Sequence, residues 1–232
     1  MPTLQKVADE WLDCGVRRAV FDVDNTLTRS NVVGFYLFVR SCRMNNKLRY
    51  RFWLIWFAIS RVPFYILLDF LNRDWFQRIF YRCYRRIPLA ELEAYAERYF
   101  DEVLRFRFLP GMQEFVTMLQ QRGIEVELLS TSISPIVEQY SRYFGIPHHS
   151  LSVSEAPLPA AGTLVHLAGL KHFKRRRMLE LAHMPTAAIA DSKHDRDALA
   201  AAAHALIITS KRKRWMKQLN NASIHIINKT KE

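Results

Sequence analysis

Apolar residues follow two different rhythms along the chain. Ala19-Val20-Phe21, Ala187 to Ala190 and Ala205 to Ile208 are short unbroken apolar runs, and Ile124 to Leu129 and Ile224 to Ile227 are short mainly apolar ones, broken by Glu125, Glu127 and His225. Each reads as a buried strand. Longer segments between them read as helices with ordinary stop signals. Residues 4–15 predict a helix closed by Gly15, and 112–122 one that follows Pro110-Gly111 and ends at Gly123. Pro135 to Phe144 starts on proline and stops at Gly145. Further helices are expected at Lys174 to His183 and, alanine-rich, at about 194–203, with short strands within 150–170 and a basic helix before the last strand. Alternation of this kind predicts an α/β fold: a Rossmann-like core with a mainly parallel sheet flanked by helices. Ligands of such sheets bind beyond the carboxyl ends of the strands.

Residues 31–108 break the alternation. They are rich in aromatics and arginine, mostly helical in pattern, and predict a helical cap inserted after the first strand. Residues 1–30 and 109–232 would then form the core. Within the cap, 52–71 holds sixteen apolar residues in twenty, interrupted by Ser60, Arg61, Pro63 and Asp69. The longest unbroken run, Phe52 to Ile59, is eight residues, short of the roughly 20 that a spanning helix needs, and Pro63 would kink or break it. The pattern suits a helical hairpin dipping into a membrane surface, with Arg49, Arg51 and Arg73 at the headgroups and Trp53 and Trp56 at the interface. The other reading is a buried cap helix.

Charge sharpens that choice. The 232 residues carry a net charge of +12. Between Arg40 and Arg86 there are eleven Lys or Arg against Asp69 and Asp74, a net +9. Such a patch favours an anionic partner: phospholipid headgroups, nucleic acid or a phosphorylated substrate. A solvated surface is the alternative. The basic residues lie among long apolar runs and no nucleic-acid motif is visible, so nucleic acid is not expected. The run Lys211 to Lys217 is read as the basic helix before the last strand. Cys14, Cys42 and Cys83 form no paired framework, which suits a reducing compartment. Met1 to Trp11 has no apolar signal core. The expected location is cytoplasmic, at the membrane face if the cap meets lipid.

Four features fall at strand ends or a helix start. Asp22-Val23-Asp24-Asn25-Thr26 places two carboxylates two residues apart, costly to hold together without a cation. Magnesium would offset their repulsion and suits phosphoryl transfer. One carboxylate could attack phosphorus while the other moves a proton. Leu128-Leu129-Ser130-Thr131-Ser132 sets hydroxyls and N–H groups after an apolar strand, where Ser130 and Thr131 could hold phosphate oxygens. Lys171, His172 and Lys174 to Arg177 offer a lysine at a helix start as a point charge for phosphate. Ala190-Asp191-Ser192-Lys193-His194-Asp195 supplies two carboxylates that could complete a metal shell. Any one of these strings could equally be a capped turn, a helix start or a solvated face.

Together, in this order and on this alternation, they resemble the haloacid dehalogenase superfamily of aspartate-nucleophile phosphatases. The likeness is greatest to the phosphoserine-phosphatase-like branch (subfamily IB), which carries its helical cap between the first two motifs. It spans about residues 18–228 and is weak in the cap. The resemblance implies Asp22 as nucleophile and Asp24 as general acid/base, with Ser130 binding the phosphoryl group. It implies magnesium on Asp22, the backbone carbonyl of Asp24, and Asp191, with Asp195 supporting. Lys174 is preferred as the phosphate lysine, because Met178, Leu181 and Ala182 follow it at the spacing of the family's apolar helix face; Lys171 is its rival. Ala190 stands where the family often has glycine, and Asn25 is a tolerated variant.

The cap layout resembles that of bacterial phosphatidylglycerophosphatase C and of the phosphatase-like domain of plant glycerol-3-phosphate acyltransferases. That likeness implies a phosphorylated lipid or lipid precursor, such as phosphatidylglycerophosphate, as substrate. Two other classes stay open: a soluble phosphoserine-like small-molecule phosphatase, and a non-catalytic module binding anions or nucleic acid.

Overall fold

The computed structural model describes residues 3–156, 162–209, 213–221 and 223–227, and of Lys171 the backbone alone. In chain order the elements are α1 (Leu4–Asp13), β1 (Arg18–Phe21), α2 (Val32–Arg43), α3 (Lys47–Ser60), α4 (Val62–Leu71), α5 (Arg73–Phe80), α6 (Leu89–Glu102), α7 (Met112–Gln121), β2 (Glu125–Ile133), α8 (Ser134–Phe144), β3 (His148–Leu151), β4 (Val153–Glu155), β5 (Thr163–Val165), α9 (Phe173–Glu180), β6 (Thr186–Ala190), α10 (Arg196–Ala201), β7 (His204–Ile208) and β8 (Ser223–Ile227).

Six strands form one sheet in the order β3-β2-β1-β6-β7-β8, every neighbouring pair parallel. The α/β class with a mainly parallel sheet is therefore as expected. Alternate side chains feed opposite faces, as the two-residue period of a strand requires. Phe21, Leu128, Ile189 and Leu206 join Trp11 of α1 and Phe115 of α7 on one face. Val20, Leu129, Ala188 and Ile207 join Met178 of α9 and Leu199 of α10 on the other. Burial on both sides explains why β1, β6 and β7 are almost wholly apolar.

The central strand β1 has β2 on one side and β6 on the other, so the connections leave it in opposite directions. This is the switch point at which open α/β sheets form their crevice. Register decides what meets there. Phe21 lies level with Leu128 and Ile189, so Asp22, Ser130 and Asp191 follow at one edge. Two expectations change here. The second strand does not stop at Leu129 but runs through Ser130 to Ile133, with a register irregularity on the way. The basic segment before β8 is a short 3-10 turn at Arg214–Gln218; Lys211 and Arg212 lie outside the described residues.

The helical insertion leaves and rejoins the core along adjacent segments. Arg29 N–H donates to Arg107 O and Leu109 N–H to Leu27 O, both at 2.8 Å. Asparagine side chains start three of its helices: Asn31 caps α2, Asn46 caps α3 and Asn72 caps α5. Its interior is aromatic, with Tyr36, Phe57, Tyr65, Phe76, Phe80 and Tyr84 in mutual ring contact.

The expected hairpin is absent. Arg61 alone separates α3 from α4, and its φ/ψ of −105°/−38° stays right-handed helical. Arg61 N–H donates to Phe57 O and Tyr65 N–H to Arg61 O, both at 2.9 Å, so the chain bends without reversing. Pro63 lacks an N–H and kinks the rod, but it falls in the first turn of α4, where proline is tolerated. Lys47–Leu71 is thus one kinked helix of 25 residues, long and apolar enough by length and composition to cross a membrane. The buried-helix reading also fails. Phe52 and Ile59 are each 73% exposed, and Phe70 is 81% exposed. Trp53 was expected at an interface but packs inward against Tyr36 and under Arg40.

Candidate active site

Asp22 leaves β1 with its backbone N–H on Ile189 O at 2.9 Å, and the residue is only 8% exposed. Lys174, one residue into α9, reaches back across the strand ends. Its Nζ donates to Asp22 Oδ1 and to Asp195 Oδ1, each at 2.5 Å. Ser192 Oγ donates to the other Asp195 oxygen at 2.7 Å, and Thr26 Oγ1 to Asp22 Oδ2 at 3.1 Å. One cation therefore serves two buried carboxylates. Burial raises Asp22 well above the ordinary carboxylate range, against the pull of Lys174, and the charges of Asp195 and Asp24 add to the rise. Burial alone would likewise raise Asp195 and lower Lys174. Their pairing outweighs it, holding Asp195 below and Lys174 above their usual values. Of the two carboxyls that share Lys174, Asp22 is therefore the one that keeps its proton to higher pH, and a cation beside it would favour its ionised form.

Asp24 lies in a different setting. Asn25 adopts a left-handed conformation (φ 59°) that asparagine tolerates, and the turn closes with Asn25 N–H on Thr28 O. Ser30 Oγ then donates to Asp24 Oδ1 at 2.7 Å and Ser132 Oγ to Asp24 Oδ2 at 2.5 Å. Thr28 Oγ1 joins Ser30 to the buried Tyr140 hydroxyl, 2.8 Å from each.

Ser130 is buried at the pocket wall, its hydroxyl accepting the Ser132 N–H at 3.0 Å. Thr131 fastens the insertion to the core. Its hydroxyl accepts Gln77 Nε2 at 2.8 Å and its carbonyl accepts the Tyr81 hydroxyl at 2.7 Å.

Asp22, Asp191 and Asp195 place one carboxylate oxygen each within 4.8 Å of one another. An all-oxygen, all-carboxylate donor set with surplus negative charge fits a hard divalent cation. The Asp24 carboxylate lies outside this trio, engaged by its two hydroxyls, which leaves its backbone carbonyl for the ligand role the resemblance gives it. Around these groups is a cavity of about 300 Å³. The core supplies its floor, and Asn31, Asp69, Arg73, Asp74 and Gln77 of the insertion supply its rim. Arg73, expected at lipid headgroups, instead pairs with Asp69 at 2.7 Å on that rim.

All the expected site residues, Asp22, Asp24, Ser130, Thr131, Lys174, Asp191 and Asp195, line the one cavity. Of the two rival lysines, Lys174 bridges the carboxylates; the side chain of Lys171 lies outside the described residues. Ser30, Ser132 and Gln77 were missed. Ser132 had a signal, since Ser130 and Ser132 stand at the two-residue spacing of one strand face. Ser30 and Gln77 had none.

A family model described as haloacid dehalogenase-like hydrolase matches residues 19–200. The chain belongs to that family. A comparison with curated protein sequences finds no match. Among solved structures, a protein of unknown function from Bordetella pertussis Tohama I superposes with a TM-score of 0.65 at 14% identity, covering 90% of this chain and 98% of that one. A phospho-aspartyl intermediate analogue of phosphoserine phosphatase gives 0.62 at 15%, covering 90% and 93%. Cytosolic 5'-nucleotidase IIIB bound to cytidine gives 0.58 at 13%, covering 98% and 86%. At these identities the likeness is one of fold.

Proposed function

We propose that this hydrolase is a magnesium-dependent phosphomonoesterase that works through an aspartyl-phosphate on Asp22. The observation that carries the reading is the pairing of two unlike carboxylates at one strand end. Asp22 is buried and fixed by Lys174; Asp24 is oriented by Ser30 and Ser132. An Asp22 oxygen attacks phosphorus as the bond to the leaving oxygen breaks, and Asp24 delivers a proton to that oxygen. Asp24 then takes a proton from water, whose oxygen attacks phosphorus and releases phosphate from Asp22. Ser130 and Lys174 hold the phosphoryl oxygens through both steps. Magnesium on Asp22, Asp191, Asp195 and the Asp24 carbonyl would neutralise phosphate charge.

The leaving group is chosen at the rim. The apolar side chains exposed along α3 and α4 favour a phosphorylated lipid or lipid precursor, such as phosphatidylglycerophosphate, met at the cytoplasmic membrane face. Phosphate release from p-nitrophenyl phosphate tests the chemistry. The wild type turns over with magnesium and Asp22→Asn does not; equal turnover by Asp22→Asn, with contaminating phosphatase excluded, refutes the mechanism. A panel of phospholipid, lysophospholipid, sugar and amino-acid phosphates tests the substrate class. Preference for an amino-acid phosphate would overturn the lipid assignment.

A further inference from the structure

The kinked helix 47–71 is asymmetric in what it touches. Phe57, Tyr65 and Leu68 form a stripe buried against the rest of the insertion, joined by the inward Trp53. The remaining surface is apolar and bare: Leu48, Phe52, Ile55, Trp56 and Ile59, then Ile66, Leu67, Phe70 and Leu71, are all more than half exposed. The helix also carries exposed cations, Lys47, Arg49, Arg51 and Arg61. The same helices carry the pocket rim, because Asp69 and Arg73 lie within a turn of Phe70 and Leu71.

We propose that this helix seats the protein on an anionic phospholipid surface, lying in the plane of the interface with the pocket rim at headgroup level. Charge complementarity selects the occupant: an apolar face on a helix that carries exposed cations matches acyl chains beneath anionic headgroups. Two features set the in-plane pose apart from a crossing helix. A crossing helix would hold Arg61 near the bilayer centre, and the buried stripe already has protein along its length. At about 1.5 Å per residue the 25 residues give a footprint of roughly 37 Å. A lipid phosphate could then enter the cavity while its chains stay in the membrane. That last step rests on the phosphatase reading; the seat itself does not.

The test is co-sedimentation of the full chain with vesicles of phosphatidylcholine alone or with one quarter phosphatidylglycerol. The wild type and the Asp22→Asn variant both sediment with the anionic vesicles and are released by alkaline carbonate. Phe52→Glu/Ile59→Glu weakens sedimentation by at least about tenfold, raised salt weakens it further, and turnover of p-nitrophenyl phosphate is unchanged, since neither residue lines the pocket. Undiminished sedimentation of the double variant overturns the proposal. So does resistance to carbonate, which means a crossing helix. A wild type that ignores vesicles but forms a dimer by light scattering, broken by the double variant, means that a second copy covers the face. Because Asp22→Asn binds vesicles on this proposal, loss of turnover and loss of the seat are separate failures.

Discussion

Replacing Lys174 by methionine removes the cation between Asp22 and Asp195 and nearly preserves volume. Both carboxylates are buried, and among the described residues each keeps a hydroxyl hydrogen bond, from Thr26 and Ser192 respectively. Removing one partner of a buried ion pair costs about 3–5 kcal/mol, because the other charge is left stranded. For a chain of this size each kcal/mol shifts the melting temperature by about 2–4 °C. With EDTA present, Lys174→Met is therefore expected to melt roughly 10 °C below the wild type by circular dichroism. Magnesium should then separate the two proteins. Counting Asp22, Asp191, Asp195 and Lys174, the trio carries a net charge of −2 in the wild type and −3 in the variant when all three acids are ionised. The variant therefore binds the cation more tightly and recovers more on its addition than the wild type does; at a hundred times the variant's Kd, magnesium stabilises it by about 2.7 kcal/mol over its own metal-free state. The double variant Lys174→Met/Asp195→Asn should regain part of the loss without metal, because the second change removes a stranded charge. A Lys174→Met protein that melts with the wild type in EDTA refutes the reasoning. So does a double variant that is less stable than the single one.

Two further outcomes are expected. Ser132→Ala deletes a hydrogen bond to the Asp24 carboxylate; such bonds to charged groups are worth about 1.5–3 kcal/mol, so kcat on p-nitrophenyl phosphate should fall about 10- to 100-fold with little change in KM, and an unchanged kcat would remove Asp24 orientation from the mechanism. Burial depresses His148, His149 and His204 below the ordinary imidazole value: above about pH 6.5 they are neutral folded and unfolded alike, but below it the unfolded chain takes up protons first, so denaturant midpoints should drop as pH falls from 7 to 5.5, and His204→Gln should flatten part of that slope.

The core was legible because its central strands β1, β6 and β7 are buried on both faces and its helices carry local stop signals. Gly15 and Gly145 have the positive φ that their place after a helix requires, and every predicted apolar run of the core became a strand in the parallel sheet. The insertion was less legible for a physical reason. When sixteen of twenty residues are apolar, the 3.6-residue period that separates a packed stripe from a bare face disappears. Nothing local marks Phe57 as buried and Phe52 as exposed; the difference lies in where Tyr36 and Tyr65 bring their rings. The hairpin expected in the same region did not form, because Pro63 falls in the first turn of α4, where the helix can continue past it.

At the site, residues at strand ends could be read from order alone, since parallel register carries equivalent positions to one edge. Residues that come from turns or from the insertion could not. Yet these decide how two aspartates two apart come to differ. Asp22 meets burial, one shared cation and two acidic neighbours; Asp24 meets two hydroxyls and stands on the insertion side of the turn. Ser132 lies on β2 and Ser30 is the last core residue before the insertion, so the proposed proton donor is held at the joint between the two parts of the molecule. Gln77 and Tyr81 repeat that arrangement one strand away, grasping Thr131 beside Ser130. A shift of the insertion, such as seating on a membrane would impose, must therefore act on Asp24 and Thr131 before it reaches Asp22. The coupling should appear as a change in kcat on vesicles for a soluble phosphomonoester, and the Phe52→Glu/Ile59→Glu variant should lack it.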